Sequence, residues 1–397
     1  MNSNQYRSHI AKITNVSRRG FLKGVGAGAF VLAIGLPSRA QAEDAKYAGE
    51  GMAHGLRDNP KLFVAIGEDG TVTVTNIRAE MGQGIRTGIT MVIADELEAD
   101  WAKMKVVQAV GNEEKYGNQD TDGSRSTRHH FRVWRHVGAS ARTMLEQAAA
   151  AQWKVPVTEV YAQNHEVIHR PTNRKVGYGA LAAAAAMLPV PDKNSVKLKD
   201  PSKFRYIGSD KITGIDMKDI TMGKATYGQD ARMDGMLYAV VERPPVYGGK
   251  VASYDATETM NVPGVVKVVA IESLPIPAAF QPKGGVAVIA KNTWAANQGR
   301  EKLKITWNDG PNASHSSDTY KAYLEGAVKE PGKVVRDNGN AEAALSSAAK
   351  KVTAEYYIPL LAHVPMEPPA ALAKVANGKA ENPPRHPFRL TPARSPA

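Results

Sequence analysis

The chain of 397 residues is 43% hydrophobic and 23% charged, which is typical of a soluble globular protein with room for two or three domains. It contains no cysteine, which excludes disulfides, c-type haem attachment and iron–sulfur clusters held by its own thiolates. The net charge of +12 would suit nucleic acid if it formed a basic patch on a folded domain. The excess is mostly terminal, because six Lys and Arg residues precede Glu43 and three arginines lie in the last sixteen residues. We therefore set nucleic-acid binding aside.

The N-terminus has the pattern of an export signal. Arg18 and Arg19 precede a glycine- and alanine-rich apolar run over residues 24–36, and the small residues Ala40 and Ala42 come just before the first acidic side chain. This pattern predicts a twin-arginine signal peptide over residues 1–42 and a periplasmic protein. The apolar run is too short for a membrane-spanning helix. A basic amphipathic helix is the less favoured alternative.

The first motif with chemical content is Glu-Met-Gly-Gln-Gly at residues 80–84. Alternating apolar residues over 62–74 predict a β-hairpin before it, and helical spacing over 89–97 predicts a helix after it. A strand that runs through Gly82 and Gly84 into a helix N-terminus leaves backbone N–H groups for a ligand. Gln83 adds an amide donor and acceptor. We interpret the motif as a cradle for an anionic or polar cofactor, and a tight turn without a ligand remains the alternative.

A polar loop over residues 116–127 leads into a second predicted helix, which carries an apolar stripe from Val133 to Ala148 and continues to Trp153. Ser126 or Thr127 is the predicted N-cap of this helix. Four arginines follow the glycine of the loop, at positions 125, 128, 132 and 135. Cations are unfavourable at a helix N-terminus, so the pattern indicates a bound phosphate or pyrophosphate. A solvated basic helix face is the alternative.

His165 and His169 belong to a His-Glu-x-x-His sequence, which binds zinc in peptidases when it lies on a helix. Here the β-branched Val167 and Ile168, and Pro171 beyond them, favour a β-hairpin. Residues four apart on a strand are about 13 Å apart, too far to share one ion. We therefore predict no metal-ligating residues here, and a zinc peptidase is the disfavoured interpretation.

Composition shifts divide the remainder of the chain. Residues 43–188 form the region of the two loops, and a proline- and lysine-bearing linker is predicted over 189–211. Residues 212–308 are predicted to form a compact α+β unit. Its predicted elements include a short strand at 225–227, a buried strand at 286–290 and a helix capped at Asn292. A third region, 309–381, has predicted helices at 318–328 and 341–349 and a strand at 352–358. It also holds Glu367 in a proline-framed loop, where a structural hydrogen-bonding role is favoured over that of an active-site carboxylate.

The order of these motifs resembles one protein family over nearly the whole chain. The resemblance rests on the signal peptide, the sequence at 80–84, Gly-Ser-Arg-Ser at 123–126, the helix over 135–149, Gly-Lys-Ala at 223–225, Gly-Gly-Lys at 248–250 and Ala-His-Val-Pro-Met-Glu-Pro at 362–368. The chain is similar to the large, molybdopterin-binding subunit of the xanthine dehydrogenase/aldehyde oxidase superfamily. Within it, the branch of isoquinoline 1-oxidoreductase beta subunits and aldehyde dehydrogenase-like proteins shares the early position of these motifs.

The resemblance implies a function and a set of contacts. The fold would be α+β, with parts of two molybdenum-cofactor-binding domains around a hammerhead-like α+β domain. The reaction would be hydroxylation of an N-heterocycle or aldehyde with water as the oxygen source. Electrons would pass to a small 2Fe-2S partner subunit, and a cytochrome c is a candidate acceptor. The residues implied to contact molybdopterin and its phosphate or cytosine-dinucleotide extension are Gly82, Gln83, Gly84, Gly123, Ser124, Ser126 and Thr127.

The C-terminal segment departs from the family pattern. After a predicted hairpin turn at Asn377 and Gly378 the returning strand is short, and residues 382–397 are proline-rich without apolar alternation. Proline does not occupy central strands. We therefore expect a truncated or frame-shifted product after about Glu381, with the catalytic glutamate of the family in the missing part; a stop in a split-subunit enzyme is less favoured. A non-catalytic periplasmic anion- or cofactor-binding protein is the alternative function.

Overall fold

The computed structural model describes residues 54–210, 212–275, 283–336, 338–362, 364, 366, 368–376 and 379–381. The predicted signal peptide, Glu367 and the tail at 382–397 lie outside the described residues. The chain divides into two compact units, one ending at Ala231 and completed by a C-terminal hairpin, the other spanning Arg232–Met366. Helices and strands are mixed in both, which confirms the predicted α+β class.

The first unit has seven helices and six strands before the division, counted over its described residues. In chain order they are α1 (Pro60–Phe63), β1 (Val64–Ile66), β2 (Val72–Asn76), α2 (Ile85–Leu97), β3 (Met104–Gln108), α3 (Glu113–Tyr116), α4 (Arg125–Arg128), α5 (Phe131–Trp153), β4 (Val160–Gln163), β5 (Glu166–His169), β6 (Lys175–Gly177), α6 (Tyr178–Met187) and α7 (Met217–Thr221). Short 3₁₀ turns occur at Trp101–Lys103, Val157–Glu159, Pro201–Lys203 and Gly228–Asp230.

The core of this unit forms around the β1–β2–β3 sheet. Strands β1 and β2 are antiparallel, with Val64 opposite Val74, and β3 is parallel to β2, with Met104 opposite Val72. Alternate residues of β1 and β2 are buried, as the period-2 pattern predicts. Helix α2 connects the two parallel strands, since a parallel pair requires a crossover. The glycine motif therefore lies where β2 ends and α2 begins.

Helices α2 and α5 pack closely because a glycine lies where they meet. A Cβ added to Gly138 of α5 would lie 2.7 Å from the carbonyl oxygen of Ile93 and 2.8 Å from Cβ of Glu96. Trp134 of the same helix is 1% exposed and meets Phe63 edge-on at 5.0 Å between ring centroids. Small residues at a crossing allow the two backbones to approach closely, so this one position sets the spacing of the two helices.

The His-Glu-x-x-His sequence forms a β-hairpin, and that prediction is confirmed. Strands β4 and β5 are antiparallel, with Val160 opposite His169, and His165 lies in the turn with φ 71°. The two imidazoles have separate partners. Nε2 of His165 lies 2.8 Å from the carbonyl oxygen of Gly70, whereas Nε2 of His169 lies 2.9 Å from Oε2 of Glu159.

The segment predicted as a linker is bound to the C-terminal end of α2. The fully buried Asp95 accepts hydrogen bonds from the backbone N–H groups of residues 205, 206 and 207 and from Nζ of Lys199. Further along, Asp216 forms an ion pair with Arg86 at 2.7 Å. Residues up to 231 thus belong to the first unit, and the division falls about twenty residues later than the boundary predicted from composition.

The second unit contains β7 (Tyr238–Glu242), β8 (Lys250–Asp255), α8 (Thr257–Met260), β9 (Val265–Ile271), β10 (Gly285–Ala290), α9 (Thr293–Glu301), β11 (Lys304–Asn308), α10 (Ser317–Ala327) and α11 (Ala341–Ser347), with a 3₁₀ turn at Gly310–Asn312. Its sheets are β7–β10–β9 and β8–β11, all antiparallel. The prediction of a buried strand at 286–290 is confirmed, since β10 is the central strand and is almost wholly buried.

Two predictions of strands are wrong. Residues 225–227 and the described residues 352–358 form no strand. The second segment is β-branched and aromatic, yet Val352, Tyr356 and Ile358 are more than 80% exposed. A strand requires a hydrogen-bonding partner as well as a favourable composition, and the described residues provide none there. The C-terminal hairpin is present as predicted, with β12 (Lys374–Ala376) antiparallel to β13 (Lys379–Glu381).

Candidate functional site

The structure brings the two predicted loops together. We call residues 79–84 the glycine loop and residues 117–127 the serine loop. The backbone N–H of Ala79 donates to Oγ1 of Thr121 at 2.8 Å. Arg78, immediately before the glycine loop, donates from Nε to Oγ of Ser126 at 2.8 Å and from Nη1 to both oxygens of Asn118 at 2.9 Å. The two loops that carry the candidate residues are therefore in direct contact.

The start of α2 is occupied by a carboxylate of the chain itself. Oε1 of Glu80 accepts from the N–H groups of Gly82 at 2.8 Å and Gly84 at 2.9 Å, and Oε2 accepts from the N–H of Arg86 at 3.0 Å. Both glycines have left-handed φ angles, +94° and +83°, which glycine adopts without strain. Three amides expected to face a ligand are thus satisfied by Glu80, which acts as the anion that a helix N-terminus attracts.

Gln83 braces the same loop. Its Oε1 accepts from the N–H of Met81 at 2.6 Å, and its Nε2 donates to the carbonyl oxygen of Ala79 at 2.8 Å. Residues 81–84 are exposed. The glycine loop is therefore held in shape by its own side chains and presents an open surface, on which Gln83 retains one amide hydrogen and one lone pair for a further partner.

The serine loop differs from the prediction in where its helix begins. Gly123 and Ser124 have positive φ angles of 45° and 56°, and they lead into the four-residue α4. The long helix α5 begins only at Phe131, and its N-cap, His130, makes no side-chain capping bond among the described residues. The prediction that Ser126 or Thr127 caps the long helix is therefore wrong. The short helix α4 therefore precedes α5 in the region where the apolar pattern predicted the start of a single helix.

The four arginines consequently have different roles. Arg125 lies 3.4 Å from Asp122 in an exposed pair. Arg135 instead donates to the fully buried Glu96 at 2.6 Å and to the carbonyl oxygen of Lys199. The charge of Arg135 is thus neutralised inside the first unit, so it is not part of an anion site. The side chains of Arg128 and Arg132 are exposed.

Arg78 is the most unusual residue of the site. Its side chain is fully buried, and its Nη2 has no hydrogen-bond partner among the described residues. Burial lowers the pKa of its guanidinium to about 10, although the carboxylates of Asp120 and Asp122 oppose that shift. The group therefore stays protonated at neutral pH. A buried cation with a free donor is costly unless an acceptor supplies the missing bond.

His130 lies beside this cation and is uncharged at neutral pH. Burial lowers its pKa to about 4, with a further lowering by the charge of Arg78. Its ring stacks on Trp134 at 5.5 Å between centroids, and Nδ1 lies 3.1 Å from the carbonyl oxygen of Arg125. A neutral imidazole must donate there, so His130 ties the short helix to the long one.

Sequence reasoning missed Arg78, Asn118 and Thr121, which join the loops, and the capping role of Glu80. A signal for Arg78 exists. It follows an alternating strand and lies between Ile77 and Ala79, which are both apolar and buried, so a charged side chain there is surrounded by core residues. The partners of Arg78 carry no such signal, because Asn118 and Ser126 are 40 and 48 residues away.

The joined loops are suited to an anionic ligand. Comparison with known proteins supports the assignment of the chain to a class of cofactor-binding proteins. The model of the molybdopterin cofactor-binding domain matches residues 2–233, more than half of the chain. The chain belongs to this family. An orphaned buried guanidinium donor, a buried hydroxyl and an open glycine loop fit the phosphate-bearing, polar cofactor that defines it.

Two curated relatives are similar to most of the chain. The chain is 31% identical to the beta subunit of isoquinoline 1-oxidoreductase from Brevundimonas diminuta over 76% of this chain and 41% of that protein. It is 32% identical to the membrane-bound aldehyde dehydrogenase [pyrroloquinoline-quinone] of Gluconacetobacter polyoxogenes over 92% of this chain and 47% of that protein. The chain therefore spans less than half the length of these relatives.

Two solved structures show weaker similarity. Quinoline 2-oxidoreductase from Pseudomonas putida 86 gives a TM-score of 0.27 at 20% identity, over 33% of this chain and 17% of that one. CO dehydrogenase from Oligotropha carboxidovorans gives 0.21 at 21% identity, over 25% and 15%. Scores this low establish no shared fold. Among the described helices, none has the length and apolar character needed to cross a membrane.

Proposed function

We propose that this chain is part of the large, molybdopterin-binding subunit of a molybdenum hydroxylase that oxidises an N-heterocycle or an aldehyde. One observation carries the proposal: Arg78 and Thr121 join the glycine loop to the serine loop in a chain of the molybdopterin cofactor-binding domain family. The names of the curated relatives support the two substrate classes. Water would be the oxygen source.

The residues of the two loops would hold the cofactor, whose bound molybdenum supplies oxygen transfer and accepts two electrons from the substrate. Gln83 would offer its remaining amide hydrogen, and the exposed Gly82 and Gly84 would allow close approach of the ligand to the backbone. Ser124 and Thr127, exposed on the serine loop, would offer hydroxyl donors to a phosphate or to the cytosine-dinucleotide extension. Glu80 would keep the glycine loop in the shape that these contacts require.

The proposal includes partners and a location. The chain has no cysteine, so iron–sulfur clusters would belong to a small 2Fe-2S partner subunit, and a cytochrome c is a candidate acceptor. Two relatives are named as subunits of larger enzymes, an isoquinoline 1-oxidoreductase and a nicotinate dehydrogenase of Pseudomonas putida, which supports a multi-subunit assembly. The twin-arginine pattern supports export to the periplasm after cofactor insertion.

Metal and pterin analysis of the full chain, co-expressed with a candidate iron–sulfur subunit, tests the proposal. We expect molybdenum and pterin to co-purify with the chain in equimolar amounts, with the pterin measured by its fluorescence. Thr121→Val removes the acceptor for Ala79 and should lower the retained cofactor several-fold. Thr172→Val is the matched control, because Thr172 bonds to His169 on a different hairpin, and it should retain the wild-type amount.

Two results would contradict the proposal. Protein that folds but carries neither molybdenum nor pterin would favour the non-catalytic anion-binding alternative. Equal cofactor retention in both threonine variants would show that the junction of the loops does not hold the cofactor, and the central observation would then have no functional meaning.

A further inference from the structure

We propose that Arg78 is a positioning residue that turns the Ser126 hydroxyl into an obligatory donor, so that the two side chains together select an oxyanion of the phosphoryl class. Nothing in the family comparison assigns a role to Arg78. The inference rests on the proposed function, because the phosphate of the cofactor would be the ligand selected. It deepens that function by naming the pair of residues that recognises the charge.

The backbone of Arg78 is held by hydrogen bonds to two side chains of the sheet. Oδ1 of Asn76 accepts from the N–H of Arg78 at 3.0 Å, and Nδ2 of Asn76 donates to its carbonyl oxygen at 2.7 Å. Nε2 of Gln108 donates to the same carbonyl at 3.2 Å. Asn76 and Gln108 end the parallel strands β2 and β3. The guanidinium is therefore anchored to the sheet and not to a mobile surface segment.

The polarity of Ser126 follows from its partner. A guanidinium has no acceptor, so in the 2.8 Å contact Nε of Arg78 donates and Oγ of Ser126 accepts. The hydroxyl hydrogen is then left to point elsewhere. Within the described part of the chain Oγ has no second partner that could accept this hydrogen. Ser126 is 7% exposed. Because only its hydroxyl hydrogen remains for a ligand, a ligand atom that bonds to it must be an acceptor.

A second donor lies on the same guanidinium. Nη1 of Arg78 is used by the two oxygens of Asn118, but Nη2 is buried without a partner among the described residues. Arg78 is also absent from every ion pair found among them. The site thus offers a hydroxyl donor, a free N–H donor and a positive charge, which the carboxylates of Asp120 and Asp122 stabilise without forming an ion pair with it. Planar guanidinium groups match the oxygens of phosphate and carboxylate groups.

Three competing places for the anion are already filled. Glu80 satisfies three amides at the start of α2, Arg135 is neutralised by Glu96, and Arg125 is paired with Asp122. Lysine at position 78 would keep the charge, but its single nitrogen on a flexible stem could not reproduce the fixed geometry in which Nε bonds Ser126 and Nη1 bonds Asn118. The forked shape of arginine is therefore the property that the inference depends on.

The test uses the full chain purified without cofactor and three probes: inorganic phosphate, pyrophosphate and cytidine 5′-diphosphate. For each variant we would measure the dissociation constant by calorimetry and the ligand-induced rise in melting temperature relative to the same variant without ligand. A ligand that binds only the folded state raises the melting temperature by mass action. Phosphate represents the monoester of the cofactor, and the other two probes represent its dinucleotide form.

We expect the wild type to bind at least one probe, and Arg78→Lys to weaken that binding at least tenfold. Ser126→Ala should weaken binding several-fold, whereas Ser126→Thr, which restores the hydroxyl, should recover it. The double variant should lose no more affinity than Arg78→Lys alone, because the serine hydroxyl is oriented for the ligand only when the arginine is present. Arg174→Lys is the control, since Arg174 stacks on Trp153 away from both loops, and it should bind as the wild type does.

The melting-temperature rise separates recognition from a structural role. If Arg78 only stabilised the fold, its variants would melt earlier but show the full rise with each probe, and the inference would be overturned. Equal affinities of Ser126→Ala and the wild type would also overturn it, and this small substitution remains informative if Arg78→Lys does not fold. A wild type that binds none of the probes would overturn it as well.

These outcomes are distinct from failure of the proposed function. Loss of molybdenum and pterin from the co-expressed wild type, with arginine-dependent pyrophosphate binding intact, would leave the oxyanion site standing and remove the cofactor assignment. Cofactor retention with unchanged probe binding in every variant would instead leave the cofactor assignment standing and remove the oxyanion site.

Discussion

Helices α2 and α10 have opposite relationships between local signals and packing. Helix α10 has a full capping box formed by Ser316 and Thr319, and an i,i+4 pair between Lys321 and Glu325 at 3.7 Å. None of its described residues is buried. Helix α2 begins at a glycine without a side-chain capping bond of its own, yet ten of its thirteen residues are buried. Local capping and core packing are therefore separable causes of a helix.

The comparison predicts where substitutions matter. A cap or an exposed ion pair contributes about 1 kcal/mol or less, whereas burial of one large apolar side chain contributes about 1.5–3 kcal/mol. Substitutions in the α2–α5 region should therefore cost far more than chemically similar ones in α10. Hydrogen exchange measured on peptides from each region reports the free energy of opening of each separately, so it can test this ordering directly.

The largest expected effect is at Glu96. Its carboxylate is fully buried and accepts from Nε of Arg135 at 2.6 Å and from the N–H of Lys199 at 2.9 Å. Glu96→Ala leaves a largely buried arginine without its partner, and removal of one member of a buried pair costs about 3–5 kcal/mol. Exchange of the α2 amides should accelerate accordingly. Glu325→Ala in α10 is the matched control and should change opening by under about 0.5 kcal/mol; similar effects of both would contradict the comparison.

The next effect depends on pH. The pKa of His130 is lowered by burial to about 4, below its ordinary value of 6.5, so the unfolded state binds more protons between these two values. The stabilisation is complete above pH 6.5 and is lost as the pH falls from 6.5 to 4. At 1.36 kcal/mol per pKa unit the loss is about 3 kcal/mol at most.

Denaturant unfolding at pH 7 and pH 5 measures this loss. His130→Phe keeps a ring against Trp134 but does not titrate, so it should lose less stability than the wild type over that interval. The pKa values of His136 and His165 are also lowered, mainly by burial, and both remain in the variant as a common background. An equal loss in the two proteins would exclude His130 as a source of acid sensitivity.

A pair of glycine substitutions sharpens the comparison through opposite signs. Gly138→Ala in α5 places a methyl group 2.7 Å from the carbonyl oxygen of Ile93, and overpacking of this kind costs about 1–3 kcal/mol. Gly326→Ala in α10 meets no described atom within 4 Å and should stabilise that helix by up to about 1 kcal/mol. Exchange rates of the two helices should therefore move in opposite directions. Stabilisation by both substitutions would show that α2 and α5 are not in close contact.

The smallest effect is at Glu80. Glu80→Ala removes the acceptor for the N–H groups of Gly82, Gly84 and Arg86, and loss of a helix cap costs about 1 kcal/mol. The first turn of α2 should exchange faster while its last turn is unchanged. Glu80→Gln keeps one acceptor oxygen and should fall between the alanine variant and the wild type. Uniform exchange along α2 in all three proteins would contradict the capping role.

Much of the fold was predictable from local pattern. The hairpin before the glycine loop, the helix after it, the β4–β5 hairpin at the two histidines and the cap of α9 by Asn292 all follow from periodicity, turn residues and caps. Predictions failed where a long-range partner decides the outcome. The β-branched segment at 352–358 lacks a neighbouring strand among the described residues, and α5 begins at Phe131 only after the separate short helix α4.

By itself, the sequence determined the fold class, the positions of the two loops and the family to which they belong, because these depend on residue types at fixed local spacing. Only the tertiary structure decided what the glycine loop does with its amides, since Glu80 fills them, and that Nη2 of Arg78 has no partner among the described residues. The junction of the loops at Arg78 and Ser126 spans 48 residues of chain. Because β2 and β3 are parallel neighbours, the segments that follow them leave the same edge of the sheet. No local pattern encodes that proximity.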